Sequence, residues 1–330
     1  MKLLRKLLFP FAILYWGVTA LRNKFYDLGW LQSKAYNFPV ICVGNLSTGG
    51  TGKSPMIEFL VTSLKNDWKL AVLSRGYKRK TKGYKEVHVG STVMEVGDEP
   101  LQFKRKFPDV TVAVCEDRQT GIEKLRNTID LLLLDDAYQH RKVRPSKTIL
   151  LTSYGDLFVD DYILPVGNLR EPKSGAARAD IIIVTKCPET LEDSKMKIIR
   201  KRLNPKPYQE VFFTKIGYGS EIKKEDNSET LEYLKAKTFT LVTGIANPKP
   251  LVSFLKAKGL KFNHKAYSDH HDFSTSEVSE LEQEALILTT EKDFMRLQPV
   301  IKKAELYYLP IATEFLEGAA EDFMSKLMAN

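Results

Sequence analysis

Cysteine is scarce in these 330 residues: Cys42, Cys115 and Cys187 stand far apart, with no C-x-x-C pair. So small and odd a number argues against a disulfide-stapled scaffold and a cysteine zinc site, and suits a reducing compartment. Internal repeats and low-complexity tracts are absent. Acidic residues are scarce at one end: residues 1–90 hold four Asp/Glu against fifteen Lys/Arg, a charge of +11, so the remaining 240 residues sum to −2. A basic third on a neutral body points to an anionic partner, nucleic acid or an acidic membrane surface, beside the plainer reading of a solvated basic face. No RNP-like or KH-like pattern accompanies the basic segment Arg75–Lys80, so no nucleic-acid partner is expected.

The chain is long enough for a substantial core and about two domains. Its most informative stretch is Ser47-Thr48-Gly49-Gly50-Thr51-Gly52-Lys53-Ser54, which follows the apolar run Pro39–Val43 and precedes a helical pattern from Pro55 to Leu64. A strand, a glycine-rich turn, Lys-Ser and a helix make a phosphate cradle. The glycines let backbone N–H groups converge on one anion, and the helix N-terminus adds favourable partial charge. Lys53 would reach the β- and γ-phosphates of ATP and the Ser54 hydroxyl would hold Mg²⁺. Ser47 stands where the usual pattern opens with glycine.

Short apolar runs alternate with helical patterns through the middle of the chain: Val40–Val43, Ala71–Ser74, Thr111–Val114, Leu131–Leu134, Thr148–Leu151 and Ile181–Val184. Continuous β-branched and leucine runs suit strands buried on both faces. The expected fold class is therefore α/β, a P-loop NTPase-like parallel sheet covered by helices. Ligands in such sheets lie at the carboxyl ends of the strands. Residues 26–218 would form this domain, the polar residues 219–236 a surface linker, and residues 237–330 a smaller α/β lobe. In that lobe Phe239–Thr243 and Ala285–Thr289 read as strands, and Pro250–Lys258, Ser276–Ala285 and Phe315–Met328 as helices.

Residues 1–25 would form an N-terminal membrane-associated helix. Leu7 to Leu21 carries no charge, yet fifteen helical residues rise only about 22 Å, short of the roughly 30 Å hydrocarbon core. Lys2, Arg5, Lys6, Arg22 and Lys24 flank it, and Tyr15 and Trp16 suit an interface. A buried packing helix is one alternative. A signal peptide cut after Val18-Thr19-Ala20 is another, although cleavage would export the cradle to a place without ATP.

Leu131–Leu134 ends in Asp135-Asp136, the arrangement expected of a Walker B strand whose carboxylate helps hold Mg²⁺. Gly97-Asp98-Glu99-Pro100 sets two carboxylates in a turn, either able to accept a proton from an attacking hydroxyl. Gly167–Pro172 offers Arg170 for phosphate oxygens and Glu171 for metal. Asp269-His270-His271-Asp272 is a polar loop cluster. Its adjacent histidines point apart on most backbones, which disfavours one shared metal.

Taken in order, these segments resemble the bacterial lipid A 4'-kinase family, tetraacyldisaccharide 4'-kinase. The resemblance runs almost the whole chain: the basic apolar start, Val43-Gly44-Asn45 with the glycine loop, Ser74-Arg75-Gly76-Tyr77, Val96–Pro100, Leu134-Asp135-Asp136, Leu169–Pro172, Asp269-His270 and Thr290-Glu291-Lys292-Asp293. Serine at the first loop position is usual there; Ala137 departs, since glycine is expected after the two aspartates. The resemblance implies ATP-dependent phosphorylation of the 4'-hydroxyl of a tetraacylated glucosamine disaccharide 1-phosphate, a glycolipid, at the cytoplasmic face of the inner membrane. It further implies Asp98 as general base with His270 as its partner, Lys53 and Arg170 as phosphate-neutralising cations, and Ser54, Asp135, Asp136 and Glu171 around Mg²⁺. A membrane-associated NTP switch that phosphorylates no lipid is the alternative reading.

Overall fold

A computed structural model describes residue 5 and residues 7–224, 227–269 and 271–329. The expectation for His270 falls outside the described residues. The first element is α1, Phe9–Asp27, with Pro10 in its first turn, where a missing N–H is harmless.

The first lobe then runs β1 (Val40–Asn45), α2 (Lys53–Leu64), β2 (Leu70–Ser74), β3 (Lys85–Glu86), α3 (Val93–Val96), α4 (Asp98–Lys106), β4 (Thr111–Val114), α5 (Arg118–Leu125), β5 (Leu131–Asp135), β6 (Lys147–Ser153), β7 (Ile181–Thr185), α6 (Asp193–Leu203) and β8 (Glu210–Tyr218). Strands β8-β7-β6-β1-β5-β2-β4 lie parallel, and β3 closes one edge antiparallel. Every residue of β1, β2, β5 and β7 is buried, which is why these strands read as unbroken apolar runs. One face packs on α2 and α4 through Ile57, Leu60, Leu101 and Phe103, the other on α5 through Ile122 and Leu125.

The second lobe holds β9 (Glu221–Lys224), β10 (Asn227–Thr230), β11 (Phe239–Thr243), α7 (Lys249–Ala257), β12 (Phe262–Ala266), α8 (Thr275–Leu281), β13 (Leu286–Thr290), α9 (Glu291–Leu297) and β14 (Glu305–Leu309). Its sheet is ordered β10-β9-β14-β13-β11-β12. Two expectations are corrected here. Residues 219–236 are not a linker: β9 pairs antiparallel with β14, and Ile222, Leu231 and Leu234 enter the second lobe's core. Their few apolar residues sit among many charged ones because one face of the hairpin is solvated. Nor does the second lobe run to residue 330. Strand β15 (Ile311–Phe315) and helix α10 (Ala320–Met328) return to the first lobe. There β15 pairs with β8, and Phe315, Phe323 and Leu327 pack with Phe59 and Phe212. The helix expected from Phe315 begins five residues later, because Thr313 and Phe315 alternate with exposed residues as a strand does.

Candidate active site

The glycine loop leaves the carboxyl end of β1, the strand between β5 and β6. Ser47 forms an antiparallel bridge with Leu169, and the Thr48 N–H donates to the Asn168 carbonyl at 2.7 Å. The chain is thus paired at the first loop position, where a serine serves as well as a glycine. Left-handed backbone comes later, at Gly49 (φ +112°) and Gly52 (φ +86°), where a side chain would be strained. Gly52 turns the chain into α2, so Lys53 is the first helical residue. Three side chains brace the loop. Asn45 Nδ2 donates to Thr51 Oγ1 at 2.7 Å, Thr185 Oγ1 donates to the Thr51 carbonyl at 2.7 Å, and Lys186 Nζ donates to the Gly50 carbonyl. The loop is held open by carbonyl and hydroxyl bonds, which leaves the N-terminus of a twelve-residue helix for an anion.

Asp135 ends β5, beside β1. Ser74 at the end of β2 donates to its Oδ2 at 2.9 Å, while Oδ1 is buried without a hydrogen-bond partner. Burial, with the Glu99 and Asp136 carboxylates, pushes this carboxyl up to about 7 against the pull of Lys53 and Ser74. A buried, orphaned oxygen among like charges is what a cation would satisfy. Asp136 sits in left-handed backbone (φ +46°), tolerated by a short polar residue, and faces Arg170 at 2.8 Å and Lys53 at 3.8 Å. Burial acts to raise its carboxyl, but Lys53 and Arg170 outweigh it and hold the group below the usual carboxylate range. Arg170 also donates to the Asn45 carbonyl at 3.1 Å and to Asn45 Oδ1. Lys53, Asp135, Asp136 and Arg170 therefore meet in one place.

Ser54 Oγ donates to Glu99 Oε1 at 2.8 Å, bringing the turn at Gly97–Pro100 against the loop. That turn opens α4. Gly97 has φ +90°, and a Cβ there would lie 3.1 Å from the Tyr77 carbonyl, so the site requires glycine. Asp98 is buried; its Oδ1 accepts the Glu99 N–H at 3.0 Å and its Oδ2 pairs with Arg296 of α9.

Glu171 is buried on the same edge, between α1 and the loop. Its oxygens accept from Asn23 at 2.8 Å, Gln139 at 3.0 Å and Arg178 at 2.9 Å. These three donors join α1 to the loop through Glu171 and leave one of the carboxylate's roughly four acceptor positions open. Among the described residues no group of three or more His, Cys, Asp or Glu side chains could hold a metal. Magnesium commonly takes only one or two carboxylates, with phosphate oxygens and water completing its shell. In the Asp269–Asp272 cluster, His271 faces Glu277 at 3.0 Å and stacks on Tyr267, holding the loop to α8.

Helix α1 lies along this edge. Tyr15 Oη donates to the Arg170 carbonyl at 2.9 Å, Arg22 to the Gln139 carbonyl at 2.8 Å, and Arg141 holds Asp27 at 2.7 Å. Only Ala12 of the helix is buried, while Phe11, Ile13, Leu14, Trp16, Val18 and Leu21 are exposed. A packing helix would bury such residues, so that alternative fails. Among the described residues no helix is long and apolar enough to cross a membrane.

Sequence reasoning missed Lys186 and Arg296. Lys186 follows a buried strand whose carboxyl end adjoins the loop, which is a usable signal. Arg296 lies one helical turn after Asp293, but only the tertiary fold brings it to Asp98.

A family model described as tetraacyldisaccharide-1-P 4'-kinase matches residues 4–329. Tetraacyldisaccharide 4'-kinase of Flavobacterium johnsoniae is 47% identical over 322 residues, covering 96% of this chain and 94% of the relative. That of Bacteroides thetaiotaomicron is 43% identical over 347 residues, covering 97% and 91%. The fold is similar to a crystal structure of LpxK from Aquifex aeolicus in complex with ATP, with TM-score 0.78, 29% identity and 98% of each chain covered.

Proposed function

The chain belongs to the tetraacyldisaccharide 4'-kinase family, and on that premise we propose how its residues divide the work. The enzyme transfers the γ-phosphoryl group of ATP to the 4'-hydroxyl of the tetraacylated disaccharide 1-phosphate, a step of lipid A biosynthesis. The alternative of a switch that phosphorylates no lipid is not favoured.

The observation that carries the division of labour is the convergence of a lysine-ended glycine loop, an aspartate pair and a buried carboxylate turn at one sheet edge. Phosphoryl transfer needs alignment and charge neutralisation more than covalent help. The N–H groups of residues 47–54 cradle the phosphates, Lys53 reaches the β- and γ-oxygens, and Arg170 neutralises charge that develops in transfer. Ser54, Asp135 and Asp136 are the residues that fit Mg²⁺, which when bound supplies further neutralisation at the phosphates. Asp98 accepts the proton of the attacking hydroxyl, with His270 as its partner. Without nucleotide, Asp136 is the counterion of both Lys53 and Arg170.

The acceptor's acyl chains stay in a leaflet, so the sugar must be met at headgroup level. The exposed apolar side chains of α1 with its basic flanks suit that surface, and the supply of ATP puts it on the cytoplasmic face of the inner membrane. The test incubates the protein with radiolabelled ATP and the glycolipid acceptor. Label in the lipid, lost in Asp98→Ala while ATP binding persists, supports these roles. Near-normal turnover by Asp98→Ala rejects Asp98 as base.

A further inference from the structure

The segment Thr290–Arg296 carries no role in the scheme above, yet it brings the second lobe against Asp98 and Glu99. Helix α9 meets α4 through three ion pairs and through Arg105, whose Nη1 lies 3.6 Å from Met295 Sδ. Arg296 pairs with Asp98, Lys292 stands 3.5 Å from Glu99, and Glu291 lies 3.1 Å from Lys106, which in turn holds Glu58 of α2 at 2.6 Å. Like Lys106 between Glu58 and Glu291, the Arg296 cation is shared by two carboxylates, here through separate nitrogens. One nitrogen of the guanidinium, Nη1, donates to Asp293 Oδ1 at 3.3 Å, while Nη2 faces Asp98. Asp293 is fully buried, and its Oδ2 accepts the Gly244 N–H at 2.8 Å and Thr290 Oγ1 at 2.8 Å. A rigid chain therefore runs from the backbone of the second sheet through Asp293 and Arg296 to the Asp98 carboxylate.

We propose that Arg296 is the positioning residue for the Asp98 base. The second lobe, through Asp293, sets the orientation of the carboxylate that receives the acceptor's proton. This rests on the reading of Asp98 as base. Two physical points support it. A buried carboxylate without a cation is driven toward its neutral form, which accepts no proton. A guanidinium presents separate N–H groups in a fixed plane to its two carboxylates, whereas an ammonium bridges a pair, as Lys106 does Glu58 and Glu291, without fixing their angle. Adhesion of the lobes does not require this pair, because Lys292 with Glu99 and Lys106 with Glu291 join the same helices.

The experiment compares Arg296→Met, Arg296→Lys, Asp293→Asn and Asp98→Asn as full-length enzymes, measuring thermal melting, ATP affinity, KM, kcat and the pH profile of kcat. Arg296→Met is expected to lower kcat about 10²-fold, the loss typical of a misplaced reacting group, with ATP affinity unchanged. Lys292, Asp293 and Glu99 keep their charges in this variant. Loss of the adjacent cation therefore moves the acid limb of kcat up by about one pH unit or more. Arg296→Lys restores the limb and part of kcat. Asp293→Asn leaves both Asp98 and Arg296 in place, and lowers kcat by releasing the fork; it also serves if Arg296→Met does not fold. Unchanged kcat and pH profile in Arg296→Met, with only a lower melting temperature, reduces the pair to a lobe contact and overturns the proposal. So does unchanged kcat in Asp293→Asn when Arg296→Met is unfolded. Near-normal turnover by Asp98→Asn instead removes the base itself, which is a separate failure.

Discussion

Replacing Phe11 and Leu14 together by alanine tests whether α1 is a membrane-contacting surface. The two side chains are 63% and 68% exposed. Full burial of a large apolar side chain contributes about 1.5–3 kcal/mol, so burying the exposed two-thirds of each contributes about 1–2 kcal/mol. The pair then carries about 2–4 kcal/mol of interfacial binding, which corresponds to roughly thirty- to several-hundredfold in partitioning. The contacts of α1 with the site are made by Tyr15, Arg22 and Asn23 and survive the change. Sedimentation with vesicles of phosphatidylethanolamine and phosphatidylglycerol, titrated over lipid concentration, measures the partitioning. Turnover of detergent-dispersed acceptor, measured in parallel, is expected to stay within about twofold, as for surface substitutions. Vesicle binding that is unchanged by the double substitution would refute the assignment of this face to the bilayer, and a collapse of turnover in detergent would mean that these side chains serve the site directly.

Three further outcomes follow from the site's electrostatics. Lys53→Ala should lower turnover by at least about 10²-fold through lost phosphate stabilisation, read from initial rates and ATP titration calorimetry; unchanged ATP-dependent turnover removes the loop assignment. Asp135→Asn should abolish turnover without lowering the melting temperature, because it relieves a buried carboxylate with an orphaned oxygen; a substantial drop in melting temperature contradicts that account. Burial and Glu291 raise the Glu58 carboxyl to about 7 in the fold from an ordinary 4.5, so the folded state keeps a proton that the unfolded chain releases, and stability falls as pH rises through that window. Glu58→Gln should flatten this decline in thermal melts between about pH 5 and pH 8, and an equally steep decline in the variant assigns it to other groups.

Buried parallel strands were legible in the sequence because two-sided burial leaves little but Val, Ile and Leu, as in Leu131–Leu134 and Ile181–Val184. Two of the strands that escaped detection lie at an edge or have one wet face. Phe262–Ala266 reads Phe-Asn-His-Lys-Ala and Glu221–Lys224 carries a single buried residue, so burial wrote no continuous apolar signal there. The same logic divides the site. The places of Lys53, Ser54, Asp135 and Asp136 at or just beyond strand ends were readable. The bonds of Glu171 to Asn23, Gln139 and Arg178 were not, since no local pattern links it to those residues. Arg296 depends on which helix the second lobe turns toward α4, and no local pattern encodes that.

The bonds between α1 and the catalytic loop bear on how a soluble nucleotide meets an acceptor fixed in a leaflet. A helix attached only by a flexible tether would hold the enzyme near the membrane but leave the height of the reacting centre free. Here Tyr15 bonds the backbone of Arg170, and Asn23 bonds Glu171, which Gln139 ties back to the Asn45 carbonyl at the mouth of the glycine loop. The apolar face of α1 and Arg170 therefore move as one body. If that face rests at the acyl boundary, Arg170 and Lys53 stand at a set height above it, and a sugar hydroxyl presented at headgroup level needs little further search. Alignment of this kind supplies a large part of the barrier lowering in a reaction with almost no covalent catalysis. It follows that Tyr15→Phe with Asn23→Ala should leave vesicle binding intact yet lower kcat on membrane-borne acceptor, and equal kcat for the variant and the parent on vesicles would show that tethering alone is enough.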